Sequence, residues 1–248
     1  MLYFIGIGLA DEKDITVKGL EAVRKCDFVY LESYTSKLQC SVEDLEKFYN
    51  KKINLAEREL VEKKADEMLD KAKDSDVAFL VIGDVFGATT HVDLKLRAIE
   101  KGIKIKIIHN ASILNALGVI GLELYKYGKV TSIPFENENV TTPYDVLEMN
   151  QKIGLHTLFL LDLRPGENRY MDAGEAIDFL LKIEKKKNKK LVTDDTLCIA
   201  CAAIGSDKEE IKVGKIKEIS KIKLKNYPQC LIIPGKLHFM EEEALKIF

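Results

Sequence analysis

Apolar runs of strand length alternate with amphipathic helical patterns through the first half of the chain. The apolar runs fall at residues 2–9, 26–31, 77–82 and 104–109, and one of the intervening helical patterns covers 91–101. Helical patterns between successive strands are typical of a mostly parallel sheet covered by helices. The first half therefore predicts a parallel α/β domain.

The second half has a different pattern, because one of its strands alternates strictly between apolar and polar residues. Residues 211–219 have this period of two, which predicts an exposed antiparallel strand. The other predicted strands lie near residues 129–133, 156–163, 197–204 and 230–233. We therefore expect an α/β fold of two α/β domains, with a mostly parallel N-terminal sheet and a mixed C-terminal sheet.

The break between the two halves is predicted near residue 110. Asn110 to Ser112 interrupts the pattern, and Ile113 to Leu122 predicts a helix that begins at a polar cap. The expected domains are thus 1–110 and 111–248. Two capping boxes predict further helix starts, at Ser41 and at Asp172.

Composition narrows the possible classes of protein. The 248 residues are 46% hydrophobic and 31% charged, with a formal net charge of −2, which is typical of a globular protein and disfavours nucleic-acid binding. The densest basic run, Lys185 to Lys190, is interpreted as a solvated helix C-terminus. No run reaches the roughly 18 apolar residues of a membrane span, no signal peptide is visible, and five cysteines do not suggest a disulfide framework. We therefore expect a cytoplasmic protein with no membrane association.

The loop after the apolar run 77–82 contains the strongest candidate ligand-binding residues. Gly83 and Asp84 end the run, Gly87 and two threonines follow, and a helical pattern begins at His91. In an open α/β sheet this position is the carboxyl edge, where ligands bind. A carboxylate beside flexible glycines predicts a small-molecule site, although Asp84 could instead only cap the turn.

A second glycine turn, Gly6-Ile7-Gly8, follows the first predicted strand. A dinucleotide fingerprint would need a third glycine or alanine where this chain has Asp11, next to Glu12. Two carboxylates would face a pyrophosphate, and no Gly-Lys-Ser/Thr phosphate loop is present. The turn thus favours a ligand other than NAD.

Motifs distributed along the chain resemble those of the tetrapyrrole-methylase superfamily of S-adenosylmethionine-dependent methyltransferases. The resemblance is narrowed by the Ala-Thr-Thr-His continuation of the Gly-Asp loop and by the Pro-Gly-Lys-Leu-His ending, which point to the branch that methylates a modified histidine of elongation factor 2 in diphthamide biosynthesis. The matching segments are residues 4–9, 14–20, 32–36, 83–91, 125–129, 154–158, 193–197 and 234–238.

The resemblance implies two α/β domains with S-adenosylmethionine in the interdomain cleft, a homodimer, and elongation factor 2 as the protein substrate. It also implies cofactor contacts at particular positions of this sequence. These are Leu9, Asp84, Gly87, Ser112, Ile113, Leu163, Ile204 and Gln229. One departure is Val85, where similar enzymes usually carry a proline that would stiffen the loop.

Several of these positions have a purely structural interpretation as well. Leu9, Leu163 and Ile204 are apolar residues at strand ends and could belong to the core, and Ser112 could be a plain helix N-cap. His91 could be an ordinary first-turn residue of its helix. The spacing of Cys198 and Cys201 resembles a metal motif, but two residues three apart on a strand cannot share a face. No metal site is therefore expected.

Methyl transfer from a sulfonium needs alignment more than acid or base groups. The thioether leaves neutral, whereas the acceptor amine must be unprotonated, which a desolvated site favours by lowering the amine pKa. We therefore expect no catalytic triad and identify no catalytic base. Candidate lining residues are Tyr34, Thr35, His91, Arg169 and Tyr170. Methylation of a tetrapyrrole precursor, and a non-enzymatic ligand-gated module that binds a translation factor, remain alternatives at this point.

Overall fold

The computed structural model describes all 248 residues and divides the chain into two compact units. The first unit contains Met1–Ala116 and Gly205–Asp207, and the second contains Leu117–Ile204 and Lys208–Phe248. The first unit therefore extends beyond the predicted division at residue 110 and takes in a short segment from late in the chain. Contacts of Ser112 with the Gly83 loop, and of Gly205 with Leu9, account for both differences.

The first unit is built on a five-stranded sheet in which every pairing is parallel, as predicted. Its strands are β1 (Leu2–Gly6), β2 (Phe28–Glu32), β3 (Asn54–Ala56), β4 (Val77–Val81) and β5 (Ile105–Ile108). They lie in the order β3-β2-β4-β1-β5, so that β1 and β4 are neighbours near the centre. All five residues of β4 are buried, because helices cover both faces of a parallel sheet.

The helices of this unit follow the predicted pattern with one clear exception. They are α1 (Val17–Lys25), α2 (Val42–Tyr49), α3 (Arg58–Glu62), α4 (Asp66–Asp74), α5 (Val92–Glu100) and α6 (Ile113–Ala116). The capping box at Ser41 is confirmed. The predicted helix over 113–122 is wrong, because α6 is a single turn followed by a 3₁₀ turn at Leu117–Ile120. Gly118 and Gly121, the latter with φ +87°, explain the early end of the helix.

The second unit contains the expected mixed sheet. Its strands are β6 (Thr131–Ile133), β7 (Thr157–Leu161), β8 (Leu163–Arg164), β9 (Arg169–Tyr170), β10 (Leu197–Ala202), β11 (Glu210–Lys215) and β12 (Gln229–Ile233). The main sheet has the order β11-β10-β12-β7-β6, with only β6 and β7 parallel, and β8 and β9 form a separate hairpin. The antiparallel strand predicted over 211–219 ends at Lys215, because Glu218 accepts the backbone N–H of Lys215 and a short helix begins there.

Four helices complete the second unit. They are α7 (Thr142–Lys152), α8 (Ala173–Lys187), α9 (Ile216–Ile219) and α10 (Phe239–Leu245). Asp172 and Glu175 form the predicted capping box of α8. The basic run at the end of α8 is confirmed as a helix C-terminus, where Lys187 pairs with Asp145 and Lys189 pairs with Glu148.

The two cysteines of β10 lie on opposite faces of the strand. Cys201 lies opposite Cys230 on the neighbouring strand, whereas Cys198 belongs to the core on the other face of β10, so the pair does not share a face. No group of three or more His, Cys, Asp or Glu side chains could hold a metal ion. No helix is both long enough and apolar enough to span a bilayer.

Candidate functional site

The two glycine turns that the sequence singled out contact each other at the carboxyl edge of the first sheet. The backbone N–H of Gly83 donates to the Gly8 carbonyl at 2.7 Å, and that of Gly8 donates to the Gly83 carbonyl at 3.3 Å. A Cβ on Gly6 would lie 2.6 Å from the Gly83 carbonyl oxygen. Because β1 and β4 are parallel neighbours, both turns leave the sheet at the same edge, and only glycine permits this approach.

Two polar side chains that sequence reasoning missed hold these turns in place. Asp14 accepts the backbone N–H groups of Leu9 and Ala10 at 3.0 and 2.7 Å. The side-chain amide of Asn110 donates to the carbonyls of Gly6 and Asp14, both at 3.0 Å. The turn after β1 is therefore fixed by one side chain that precedes α1 and by another that follows β5. The sequence signals were that Asn110 stands where the pattern is interrupted and that Asp14 begins the segment 14–20.

Asp84 both caps its own turn and joins β4 to the end of β5. Its carboxylate accepts the backbone N–H of Phe86 at 3.1 Å and that of Asn110 at 3.0 Å, and it lies 2.8 Å from Nδ1 of His109. Burial would raise the pKa of Asp84, but these hydrogen bonds and the His109 ring outweigh it and hold the pKa below its usual value. Asp84 is thus a carboxylate at neutral pH.

Val85, which stands where similar enzymes carry proline, is fully buried in the core of the first unit. Its carbonyl accepts the Thr89 hydroxyl at 2.6 Å. This bond and the Asp84–Phe86 bond restrain the loop on both sides of the valine. The loop therefore has restraints of its own in place of a fixed proline φ.

Gly87 and Ser112, both predicted cofactor contacts, touch each other. A Cβ on Gly87 would lie 2.7 Å from Cβ and 2.8 Å from Oγ of Ser112. The Ser112 hydroxyl accepts the backbone N–H of Leu114 at 3.2 Å, so the N-cap interpretation of Ser112 also holds. Ile113 is the first residue of α6 and directly follows this contact.

A small recess lies over Gly83, where several of the predicted residues converge. The position of an added Cβ is surrounded, all at 3.7 Å, by the Ala111 carbonyl oxygen, Cδ2 of Leu9 and Cα of Ser112. This is ordinary contact distance, so the recess is the size of one methyl group. The first unit thus brings Leu9, Gly87 and Ser112 to one place beside Asp84.

The three predicted residues in the second unit also share one sheet edge. Leu163 follows the carboxyl end of β7, and Ile204 follows the carboxyl end of β10. Gln229 begins β12, which runs antiparallel to both strands and pairs Gln229 with Ala202. The sequence could not show this convergence, because it depends on pairings between strands that are far apart along the chain.

The side chain of Gln229 is fully engaged within the second unit. Its amide oxygen accepts the backbone N–H of Ala173 at 3.0 Å, and its amide nitrogen donates to the carbonyls of Asn226 and Leu224 at 3.0 and 3.4 Å. A ligand contact at this position would therefore come from the main chain. The cofactor contacts expected of Leu163, Ile204 and Gln229 stay predictions.

Aromatic and basic side chains surround the same edge of the second sheet. Phe135 follows β6 and donates its backbone N–H to Asp162 at 3.0 Å, and the rings of Tyr170 and Tyr227 lie 5.2 Å apart. The guanidinium of Arg169 lies 3.8 Å from the centre of the Phe135 ring. Arg169 and Tyr170 were expected as lining residues, whereas Phe135 and Tyr227 were missed.

The other candidate lining residues lie at the end of β2, where Tyr34 and Thr35 are partly buried and His91 is buried. Glu32 accepts the backbone N–H groups of Tyr34 and Thr35, both at 2.6 Å, and also binds the Thr35 hydroxyl. The His91 ring is 1% exposed, packs edge-on against Phe79 and lies 3.7 Å from the Glu32 carboxylate. His91 is therefore a core residue of the first unit that precedes α5.

Comparisons with known proteins agree with this geometry. The family model of the tetrapyrrole (corrin/porphyrin) methylases matches residues 1–220. The diphthine methyl ester synthase of Dictyostelium discoideum is 44% identical over 100% of this chain and 98% of its own length. The diphthine synthase of Methanococcus maripaludis strain C6 is 45% identical over 99% of this chain and 98% of its own. A crystal structure of diphthine synthase has a TM-score of 0.91 at 39% identity, covering 100% of this chain and 95% of that one.

These similarities extend over the whole chain and include both sheet edges. The glycine turns and the Gly-Asp loop lie inside the matched range 1–220. Methylases transfer methyl groups, so the chain is a methyltransferase. It belongs to the tetrapyrrole (corrin/porphyrin) methylase family, with relatives named diphthine synthase.

Proposed function

We propose that this chain transfers methyl groups from S-adenosylmethionine to the amine of the modified histidine of elongation factor 2 in diphthamide biosynthesis. The reaction is supported by relatives named diphthine methyl ester synthase and diphthine synthase, which are 44% and 45% identical over nearly their full lengths. The structural observation that carries the proposal is the joined pair of glycine turns beside the Asp84 carboxylate. A homodimer, which the family resemblance implies, and a cytoplasmic location, which was expected from the sequence, also belong to the proposal.

The residues of the first unit fit a cofactor with this chemistry. S-adenosylmethionine carries a sulfonium, an ammonium group and ribose hydroxyls, all of which interact favourably with a carboxylate. Asp84 is ionised at neutral pH, and its Oδ1 accepts a single protein hydrogen bond, so it retains acceptor capacity. The recess over Gly83 has an apolar wall from Leu9 and a polar wall from the Ala111 carbonyl.

We assign the cofactor contacts to the residues expected from the sequence. Leu9, Asp84 and Gly87 would contribute from the two glycine turns, and Ser112 and Ile113 from the start of α6. The contributions of Leu163, Ile204 and Gln229 from the second unit are part of the same proposal.

The chain's role in the reaction is to position and desolvate the reactants. When bound, S-adenosylmethionine supplies an electrophilic methyl group on a sulfur that leaves as a neutral thioether. No protein acid is needed for that departure, so the chain has to hold the acceptor in line and keep its amine unprotonated. Alignment of two bound reactants can contribute about 7–11 kcal/mol to lowering the barrier. Rigid main-chain turns are well suited to this task.

The proposal is tested by methyl transfer from labelled S-adenosylmethionine to three acceptors. We expect labelling of elongation factor 2 that carries the precursor side chain and none of the same factor with unmodified histidine, because the imidazole lacks the aliphatic amine. The third acceptor, a porphyrin precursor, should stay unlabelled. Equal labelling of both forms of the factor, or labelling of the porphyrin precursor alone, would contradict the assignment.

A further inference from the structure

We propose that Arg169 binds a carboxylate of the acceptor side chain and thereby selects the modified histidine. This inference rests on the proposed function and names a recognition residue for the acceptor. It arises from the guanidinium of Arg169, which is exposed and lies over an aromatic ring at one end of the second sheet.

The Arg169 side chain lies over the Phe135 ring and forms no direct ion pair. Its guanidinium carbon lies 3.8 Å from the centre of the Phe135 ring, and no carboxylate forms an ion pair or hydrogen bond with it. A ring contact uses a face of the guanidinium. The N–H donors lie in the plane of the group and stay available. The side chain is thus oriented in advance for a planar anion.

The neighbouring carboxylates are already used by other groups. Arg164, which lies opposite Arg169 in the β8–β9 hairpin, pairs with Glu136 and lies 3.7 Å from Glu167. The Asp162 carboxylate accepts the backbone N–H groups of Phe135 and Leu163 at 3.0 and 2.9 Å. Arg164 therefore forms the direct ion pairs with these acids, and Arg169 interacts with Glu136 only at longer range, so the donors of Arg169 are left for an external group.

Arg169 lies beside the cofactor residues expected in the second unit. In the hairpin register Leu163 pairs with Tyr170, which directly follows Arg169. The Tyr170 ring is tilted 32° against that of Tyr227, and Tyr227 lies two residues before Gln229. A group bound by Arg169 would thus be next to the residues assigned to the cofactor.

A carboxylate is the anion that the comparisons suggest. One of the relatives is named a diphthine methyl ester synthase, and a methyl ester is formed on a carboxyl group. An acceptor that carries both an amine and a carboxylate can be bound through the carboxylate while the amine reacts. The planar fork of an arginine matches a carboxylate through two parallel hydrogen bonds, which lysine cannot reproduce.

Steady-state kinetics of Arg169→Gln test the assignment. Arg169→Gln removes two charge-assisted hydrogen bonds to the acceptor carboxylate. Their loss should raise KM for precursor-bearing elongation factor 2 by about 10- to 100-fold. The kcat value and the dissociation constant of S-adenosylhomocysteine should stay near wild type, since binding of the acceptor alone is affected. Arg169→Lys should be intermediate, because it keeps the charge and loses the fork.

Arg24→Gln is the matched control, since it removes one exposed guanidinium from α1 in the first unit. It should leave KM for the acceptor unchanged. If wild-type protein methylates the acceptor and Arg169→Gln has an unchanged KM, the role of Arg169 is wrong and the proposed function stands. If wild-type protein fails to methylate it, the proposed function itself fails. An equal rise in KM for Arg24→Gln would reduce the effect to general surface charge and overturn the inference.

Discussion

The sheet edges that carry the candidate residues of the two units differ in the groups that form them. At the edge of the first sheet, main-chain groups of Gly8 and Gly83 meet directly, and the nearby charge is the carboxylate of Asp84. At the edge of the second sheet, side chains dominate, with Arg169 stacked on Phe135. The first edge suits a cationic small molecule held by backbone, and the second suits an anion held by a guanidinium.

A third region of the molecule carries a buried ionic network without any expected ligand contact. The Glu241 carboxylate, fully buried, lies 2.9 Å from Nε2 of His156 and also binds Lys126. It accepts the backbone N–H groups of Glu123 and His238 at 2.9 and 2.7 Å. His156 precedes β7, so this network lies at the opposite end of the second sheet from Arg169. Variants here separate stability from recognition.

The largest effect is expected for Glu241→Ala, which removes the centre of that network. Loss of one member of a buried ionic group leaves the others unpaired and should lower the free energy of unfolding by about 3–5 kcal/mol. Urea unfolding measures this, with exposed Glu242→Ala on the same helix as the control. A change for Glu241→Ala as small as that for Glu242→Ala would show that the network does not stabilise the second unit.

The next largest effect is expected for Gly87→Ala, at the edge of the first sheet. Gly87→Ala places a methyl group 2.7 Å from Cβ of Ser112, so the loop must move. We expect the affinity for S-adenosylhomocysteine to fall by about tenfold or more, equivalent to at least about 1.4 kcal/mol. Calorimetric titration measures it. Gly118→Ala, whose Cβ has no neighbour closer than 3.6 Å, should bind like wild type.

A smaller effect is expected for Asp84→Asn, which nearly keeps the shape of the side chain and removes its charge. The asparagine oxygen can still accept from Phe86, but its amide nitrogen cannot accept from Asn110. Affinity for the sulfonium cofactor should fall more than affinity for the thioether product, because both ligands lose the attraction on their ammonium group and the cofactor also loses that on its sulfonium. Parallel titrations of both ligands would show equal losses if Asp84 acted only as a turn cap.

The smallest effect is a pH dependence of stability from His156. Burial disfavours the imidazolium and lowers the pKa of His156, although the Glu241 carboxylate acts in the opposite direction. The unfolded chain therefore binds a proton near its ordinary pKa of about 6.5, whereas the folded state does so only at lower pH. The free energy of unfolding should decline as the pH falls below about 6.5. Urea titrations of wild type and His156→Gln across this range should diverge, and parallel curves would exclude His156 as the source.

The first edge and the type of each sheet could be predicted from the sequence. The glycine turns of the first edge are local signals, since a strand, a glycine and a carboxylate follow one another within a few residues. The parallel first sheet and the mixed second sheet were predicted from periodicity and confirmed by the strand pairings.

The second edge was largely beyond sequence reasoning. Phe135 and Arg169 are brought together by the pairing of β6 with β7, which has no local signature, and by a hairpin whose strands have only two residues each. The bonds of Asn110 to Gly6 and Asp14 span about a hundred residues for the same reason. The wrong helix over 113–122 shows the reverse error, because an apolar helical pattern was given more weight than the two glycines within it.

The dissociation constants of S-adenosylhomocysteine for Gly87→Ala and Arg169→Gln, measured side by side with wild type, test most directly whether the two edges have separate tasks. If the two edges have separate roles, Gly87→Ala weakens binding of S-adenosylhomocysteine by about tenfold or more, and Arg169→Gln binds it as wild type does. Weakened binding in Arg169→Gln together with unchanged binding in Gly87→Ala would contradict it.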